Sequence, residues 1–183
     1  RDSSELIIDG DNSWKAVRDY LGRTSPELMD RVRKWNRGQH DGQDAFAPLD
    51  LDQQLEKAMA RKVWLPSGGY LIIDHTEAMT VIDVNTGSFV GSGGNLEATV
   101  TENNLEAAEE IVRQLRLRDI GGMIVVDFID MLLQQNQDLV LRRLSEFLGR
   151  DRTRHKLGEV TSLGLVQLTR KRLGTGLLET FST

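Results

Sequence analysis

Two apolar runs that each end in an acidic residue are the strongest signal in the pattern of hydrophobic and polar positions. Apolar and polar residues alternate over residues 81–85, which predicts a strand with Asp83 and Asn85 on one face. Residues 123–128 stay apolar until Asp127, as is typical of a central strand. One segment with a helical pattern of apolar residues lies between the two runs. This order of strand, helix and strand predicts a right-handed crossover with the two strands parallel.

The rest of the pattern predicts a mixed α/β chain in which helices flank a mixed sheet, preceded by a smaller α/β piece. Asn103, with Glu106 three residues later, is expected to cap the helix of the crossover. Strands are predicted at residues 5–9, 31–35, 63–65, 70–74, 79–84, 123–128 and 163–169, and the principal helices at 13–21, 50–61, 103–115 and 137–148. Domain boundaries are expected to separate residues 1–61, residues 62–173 and a loosely held tail, 174–183.

The composition is that of an ordinary globular protein, with a hydrophobic share of 39% and a charged share of 28% over 183 residues. No apolar run reaches the length of about 18 residues that predicts a membrane span, and no signal peptide is visible. The absence of cysteine excludes disulfides and a thiolate zinc site within this chain, and favours a reducing compartment. Because the chain begins with Arg1 rather than Met, we expect a fragment of a longer protein.

The net charge of −5 argues against a general polyanion binder, but the charge is uneven. Residues 142–172 contain nine Lys or Arg against three Asp or Glu. Such a basic strip can steer a phosphate backbone. From charge alone, a solvated helix face is the better explanation of the same residues.

The paired strand ends carry the candidate chemistry. Ligands of open α/β sheets bind beyond the carboxyl ends of the strands, and Asp83 and Asp127 both lie there. If the strands are neighbours, the two Cα atoms lie about 5 Å apart, so one Mg²⁺ or Mn²⁺ could bind both carboxylates, with Asn85 adding a neutral oxygen. Such a metal supports phosphodiester hydrolysis. Asp130 would orient these ligands or cap the next segment. The alternative is that both aspartates only cap backbone.

Other candidate residues have weaker signals. Arg116 and Arg118 would contact phosphate beside the metal, or simply complement the dipole at a helix C-terminus. Phe89 lies in a glycine-rich loop and is the aromatic residue we nominate for stacking on a base. The three tryptophans are expected in the core rather than in base-stacking platforms: Trp14, Trp35 and Trp64.

Four long motifs closely resemble the ribonuclease E/G family, over most of the chain. They are RKVWLPSGGYLIID (Arg61–Asp74), TEAMTVIDVNTGSFVG (Thr76–Gly91), NLEAAEEIVRQLRLRDIGGMIVVDFIDM (Asn104–Met131) and GLVQLTRKR (Gly164–Arg172). The resemblance implies that residues 1–61 are the end of a ribonuclease H-like subdomain and residues 62–173 a DNase I-like catalytic subdomain.

The resemblance also implies a function. Members of this family are cytoplasmic endoribonucleases that prefer single-stranded RNA, leave 5′-phosphate and 3′-hydroxyl ends, and act in ribosomal RNA processing and messenger RNA decay. It implies that Asp83 and Asp127 hold catalytic Mg²⁺ and that Asn85 assists. Arg154, in the DRTR motif, matches the arginine that helps to organise a sensor for a 5′-monophosphate.

Parts of the family pattern are not found in this chain. An RNA-binding S1 domain and the sensor are expected before Arg1, and a cysteine-based structural Zn²⁺ link after the last motif. Residues 132–137 lack the basic residue of the commoner version. The full-length protein is expected to form homo-oligomers and to bind RNA-decay proteins through other regions. A non-catalytic RNA-binding or assembly module, and a metal-dependent DNase or phosphoesterase, are the competing readings.

Overall fold

The protein is a mixed α/β chain, as predicted, and the computed structural model describes residues 4–87, 96–177 and 180. It divides into two compact units, Arg1–Lys57 and Ala58–Thr183. Their assignment to ribonuclease H-like and DNase I-like subdomains stays a prediction. The strands are β1 (Leu6–Ile8), β2 (Val32–Lys34), β3 (Lys62–Trp64), β4 (Tyr70–His75), β5 (Met79–Asn85), β6 (Gly122–Asp127), β7 (His155–Val160) and β8 (Val166–Arg170). The helices are α1 (Asp11–Thr24), α2 (Leu51–Met59), α3 (Leu96–Leu117) and α4 (Gln134–Gly149).

The first unit is a small parallel pair of strands, β1 and β2, joined through α1. Trp35 follows β2 and is only 6% exposed, which confirms its predicted place in a core. Its indole N–H donates a hydrogen bond of 3.0 Å to the carbonyl of Gln43, and its ring stacks on His40 with centroids 4.0 Å apart. Buried polar atoms of this large side chain are therefore satisfied.

The second unit is built on a six-stranded mixed sheet with the strand order β3-β4-β5-β6-β8-β7. The central pair, β5 and β6, is parallel, which confirms the predicted crossover through α3; the other neighbours are antiparallel. The alternate apolar residues of these strands pack with α3 and α4 into one core. In the described ranges, no helix combines the length and the apolar character that a bilayer span requires.

Helix α3 begins earlier than predicted. Its first described turn starts at Leu96, so Asn103 lies inside the helix and is 5% exposed rather than capping it. Glu106 does not close a capping box, because its carboxylate accepts a hydrogen bond of 3.0 Å from the backbone N–H of Ser67. The polar residues within α3 have partners elsewhere in the fold, and a capping pattern in the sequence cannot reveal them.

The carboxyl-terminal hairpin was only half predicted. Strand β7 was missed because it is an exposed edge strand with a glycine at its centre and no apolar alternation. The predicted strand at 163–169 begins only at Val166, since Gly164 adopts a left-handed turn with φ of +82°. Arg170 belongs to the basic stretch at residues 142–172, but it ends β8 with only 3% of its surface exposed and is therefore not part of a solvated face.

The start of the tail is held more firmly than predicted. The carboxylate of Asp119 accepts hydrogen bonds from the backbone N–H groups of Leu173 and Gly174, at 2.9–3.1 Å. The N–H of Leu177 also donates to the carbonyl of Arg118. These bonds fix residues 173–177 against the turn that follows α3.

Candidate metal centre

The structure places Asp83 and Asp127 side by side. They are register partners at the ends of the parallel strands β5 and β6, where neighbouring strands lie about 4.8 Å apart. Asn85 lies two residues further along β5, on the same face, and its side-chain N–H donates a hydrogen bond of 2.9 Å to the carboxylate of Asp83. This bond orients the amide so that its carbonyl oxygen is the group that could face a cation.

The electrostatics of this strand edge favour a cation. Burial raises the pKa of Asp127, and the nearby carboxylates of Asp83 and Asp130 raise it further. The described residues that line the cleft include no Lys, Arg or His that could offset these charges: Asp83, Val84, Asn85, Thr86, Asp127, Phe128, Ile129 and Asp130. Two uncompensated carboxylates and one amide form an all-oxygen donor set, and that chemistry fits Mg²⁺ or Mn²⁺.

The protein alone supplies a sparse ligand set at this edge. Among the described residues, no group of three or more Asp, Glu, His or Cys side chains is arranged to hold a metal. Mg²⁺ commonly keeps several waters and binds through one or two carboxylates plus substrate phosphates. The pair Asp83 and Asp127 therefore suits a metal that is shared with a substrate better than a permanent structural ion.

Two asparagines on α3 hold the chain segments that follow the candidate ligands. Asn104 is fully buried; its N–H donates a hydrogen bond of 2.8 Å to the carbonyl of Ile129, and its oxygen accepts one of 3.1 Å from the N–H of the same residue. Asn103 donates to the carbonyl of Asn85 at 3.4 Å. These residues were missed as site residues, although two adjacent asparagines in a helical apolar pattern were an available signal.

A glycine keeps the β3–β4 hairpin close to the same segment. A Cβ atom on Gly69 would overlap the side chain of Asn103 and lie 2.8 Å from the carbonyl oxygen of Asn85. The hairpin, α3 and the end of β5 therefore meet without room for another methyl group. This close packing limits the movement of Asn85 relative to its neighbours.

Glu97 anchors the segment after β6. Its carboxylate accepts hydrogen bonds of 2.9–3.0 Å from the N–H groups of Leu132 and Leu133 and from the side chain of Asn136. The hydrogen bond from Leu132, together with the others, holds the pKa of Glu97 below its usual value. Residues 132–136 are thus tied to the start of α3.

We expect Asn104→Leu to lower the free energy of unfolding by about 2–4 kcal/mol, because it leaves the buried N–H and C=O of Ile129 without partners. Urea unfolding of this chain measures the change. Glu102→Leu, at an exposed position of the same helix, is the matched control and should change stability by less than about 0.5 kcal/mol. Equal stability of the Asn104 variant and the wild type would show that the two hydrogen bonds to Ile129 do not stabilise the fold.

Arg116 and Arg118 do not lie beside the candidate metal site. Helix α3 ends at the amino end of β6, about 16 Å along the strand from Asp127. Arg116 is exposed there, whereas Arg118 is 3% exposed and donates to the side chain of Gln114 and to the carbonyl of Ala60, at 2.8 and 2.6 Å. Burial lowers the pKa of Arg118. The prediction that Arg116 and Arg118 contact phosphate beside the metal was therefore wrong. Arg118 instead has a structural role.

The other predicted site residues have different outcomes. Arg154 is exposed and precedes β7 at the same amino end of β6, away from Asp83, so its predicted link to a 5′-phosphate sensor stays a prediction. Asp130 is exposed in the cleft with Asp127, and its orienting role also stays a prediction. Phe89 lies outside the described residues.

A larger cleft, of about 530 Å³, lies at the amino ends of β5 and β6. Among the described residues that line it, no two carboxylates are register partners on neighbouring strands, as Asp83 and Asp127 are. The carboxylate of Asp119 in its lining is already bonded to Arg170 and to backbone N–H groups. Its size therefore does not make it the better candidate for metal chemistry.

The carboxyl edge of an open α/β sheet is where such folds bind ligands, and the oxygen atoms of the Asp83 and Asp127 pair there suit a divalent cation. The model of the Ribonuclease E/G family matches residues 1–173, so this chain belongs to that family.

Three relatives show how much of such a protein the chain represents. It is 41% identical to Ribonuclease G of Escherichia coli K12 over 91% of the chain and 33% of that relative. It is 42% identical to Ribonuclease E of Nostoc sp. and 38% identical to Ribonuclease E of Haemophilus influenzae, each over 98% of the chain. These alignments cover 26% and 19% of the two relatives. The chain therefore spans a third or less of the relatives that it matches.

Proposed function

We propose that this chain carries the catalytic, metal-binding part of an endoribonuclease. The observation that carries the proposal is the register pairing of Asp83 with Asp127, which brings two carboxylates to one strand edge without a protein cation beside them among the described residues. Membership of the Ribonuclease E/G family supports the same reaction class. The relatives are named Ribonuclease G and Ribonuclease E, which favours RNA over DNA as substrate.

The proposed reaction is Mg²⁺-dependent hydrolysis of single-stranded RNA to 5′-phosphate and 3′-hydroxyl ends, with Mn²⁺ able to replace Mg²⁺. The proposed setting is RNA processing and messenger RNA decay in the cytoplasm. In the full-length protein we propose a homo-oligomer, a structural Zn²⁺ link and RNA-decay partners, all through regions outside this chain.

The residues of the site have separate tasks in this proposal. Asp83 and Asp127 would hold the cation, and Asn85 would orient Asp83 through its hydrogen bond and offer an oxygen. A bound Mg²⁺ supplies Lewis acidity toward the scissile phosphate and water. Asn104 keeps the backbone after Asp127 in place, so the two carboxylates stay at a fixed separation. Because the described residues of the lining include no Lys or Arg, we propose that binding of the RNA chain depends on other surfaces.

We expect the full-length protein to cut a 5′-labelled single-stranded RNA in Mg²⁺ and not in EDTA, because the two carboxylates repel the phosphate when no cation lies between them. Single-stranded DNA of the same sequence should be cut far more slowly. Gel analysis and enzymatic ligation of the products measure both the rate and the ends. Cleavage that persists in EDTA, or products with 2′,3′-cyclic phosphate, would contradict the proposal.

A further inference from the structure

The face of the six-stranded sheet that carries Asp83 also carries an aromatic pair, the exposed Trp64 and the half-buried Tyr70. Trp64 on β3 is the register partner of Tyr70 on β4, and Tyr70 is the register partner of Asn85 on β5. Directly opposed residues of antiparallel strands point to the same face. The row Trp64, Tyr70 and Asn85 therefore crosses from the edge strand β3 to the candidate metal ligands on β5. Strands β3 and β5 lie about 10 Å apart, which is two inter-strand spacings.

Trp64 is unusual for a tryptophan, because 64% of its surface is exposed, and its predicted place in the core was wrong. Its ring and that of Tyr70 meet edge to face with centroids 5.5 Å apart, which holds the indole in place. The ammonium of Lys62 lies 4.1 Å from the centre of the Trp64 ring and 3.9 Å from that of Tyr70. The structure therefore combines an accessible aromatic ring with a positive charge.

We infer that Trp64, Tyr70 and Lys62 form a subsite for one nucleotide of single-stranded RNA, a few nucleotides or less from the scissile phosphate. The inference rests on the proposed function and adds a base-binding position to it. The indole would stack on a base, and the ammonium of Lys62 would contact the neighbouring phosphate. Lys62 lies in the neighbouring row of the sheet, level with Ile72 and Asp83, and so brings a positive charge to the side of a metal cleft whose described lining has none.

RNA fits this surface better than another protein segment for two reasons. The aromatic pair is continuous, through Tyr70 and Asn85, with the place where the phosphate would be cut. In addition, aromatic stacking with an adjacent cation recognises any base and a backbone charge together, as binding of single strands without strict sequence preference requires. Coverage of Trp64 by another part of a longer protein is the alternative that the experiment must exclude.

The test uses the full-length protein and fluorescently labelled RNA oligonucleotides in which a single abasic position is moved along the strand. Binding is measured by anisotropy in EDTA, so that cleavage does not affect the result. Trp64→Ala should weaken binding of intact RNA about tenfold. One abasic position should weaken binding of the wild type about tenfold but leave the binding of the variant unchanged. Trp64→Phe, which keeps a ring, should restore most of this coupling.

Tyr20→Ala is the matched control, because Tyr20 is an aromatic residue of similar exposure, 60%, on helix α1. It should bind every oligonucleotide as the wild type does. The inference is overturned if Trp64→Ala binds intact RNA normally, or if its loss is the same for every abasic oligonucleotide. An equal loss of affinity for every oligonucleotide would indicate that Trp64 packs against another part of the full-length protein and does not stack on a base. If Trp64→Ala does not fold, the Phe variant and the abasic series with wild-type protein decide.

The two proposals can fail separately. If the abasic coupling is absent but cleavage still needs Mg²⁺ and Asp83, only the nucleotide subsite is refuted. If the coupling is found but no cleavage occurs, the chain binds RNA through Trp64 and the proposed catalytic function is refuted.

Discussion

Asp83→Asn in the full-length protein is expected to reduce cleavage of single-stranded RNA by at least about a thousandfold while the fold is retained. The substitution keeps the size of the side chain but removes one of the two charges that would hold the cation. Loss of several kcal/mol of transition-state stabilisation corresponds to this factor, since each 1.36 kcal/mol is tenfold in rate. Initial rates at saturating Mg²⁺, with circular dichroism as a check on folding, measure the effect.

Asp74→Asn is the matched control for that experiment. Asp74 is also a strand carboxylate, but it pairs with Arg61 and lies opposite Val81, near the amino end of β5 and away from the candidate metal site. Its loss should change the cleavage rate by less than about threefold, because surface ion pairs contribute little. A folded Asp83→Asn variant that cuts RNA at a normal rate would show that Asp83 and Asp127 have no catalytic role.

The second large effect is expected at Arg170, whose side chain is 1% exposed. Its guanidinium donates hydrogen bonds of 2.7–3.0 Å to Asp151, Asp119, Thr153 and the carbonyl of Ile120. Arg170→Met should lower the free energy of unfolding by about 3–5 kcal/mol, because it leaves buried carboxylates without a positive partner. Urea unfolding at pH 7 measures this loss.

Arg150→Met is the control for this substitution. Arg150 pairs with Glu146 on α4, but both side chains are more than half exposed, so the expected loss is below about 1 kcal/mol. Similar losses for the two variants would contradict the assignment of Arg170 as the buried centre of the ion cluster.

The same cluster predicts a dependence of stability on pH. Burial raises the pKa of Asp151, but the hydrogen bonds from Arg170 and Thr153 outweigh it and leave the pKa below its usual value. A lowered carboxyl pKa in the folded state stabilises the protein above the unfolded pKa of about 3.9. This contribution is lost as the pH falls through the folded pKa. The difference in stability between wild type and Arg170→Met should therefore shrink below about pH 4, and a constant difference would contradict it.

The central part of the site could be predicted from the sequence because local pattern and topology act together there. The apolar run before Asp127 predicts a central strand, and a helix between two such strands predicts parallel neighbours. These two rules suffice to bring Asp83 and Asp127 to one edge. The pairing in the structure confirms this placement, whereas the bound metal stays a prediction.

Several of the errors share one physical cause, which is that burial of polar and charged groups depends on partners distant in sequence. Arg118 was predicted to contact phosphate or a helix end, and Arg170 was counted in a basic strip, but both are buried against partners up to 58 and 51 residues away. Asn103 was predicted to cap the helix of the crossover, yet Asn103 and its neighbour Asn104 bind the backbone of Asn85 and Ile129. Trp64 was assigned to a core from its residue type alone, although its strand β3 is at the sheet edge.

The most direct test of the metal site is the anomalous scattering of Mn²⁺ in crystals of this chain soaked in MnCl₂. One Mn²⁺ peak within about 2.5 Å of carboxylate oxygens from both Asp83 and Asp127 is the expected result. The peak should disappear in crystals of Asp83→Asn. A wild-type crystal that is fully soaked and shows no peak between these two residues would contradict the account.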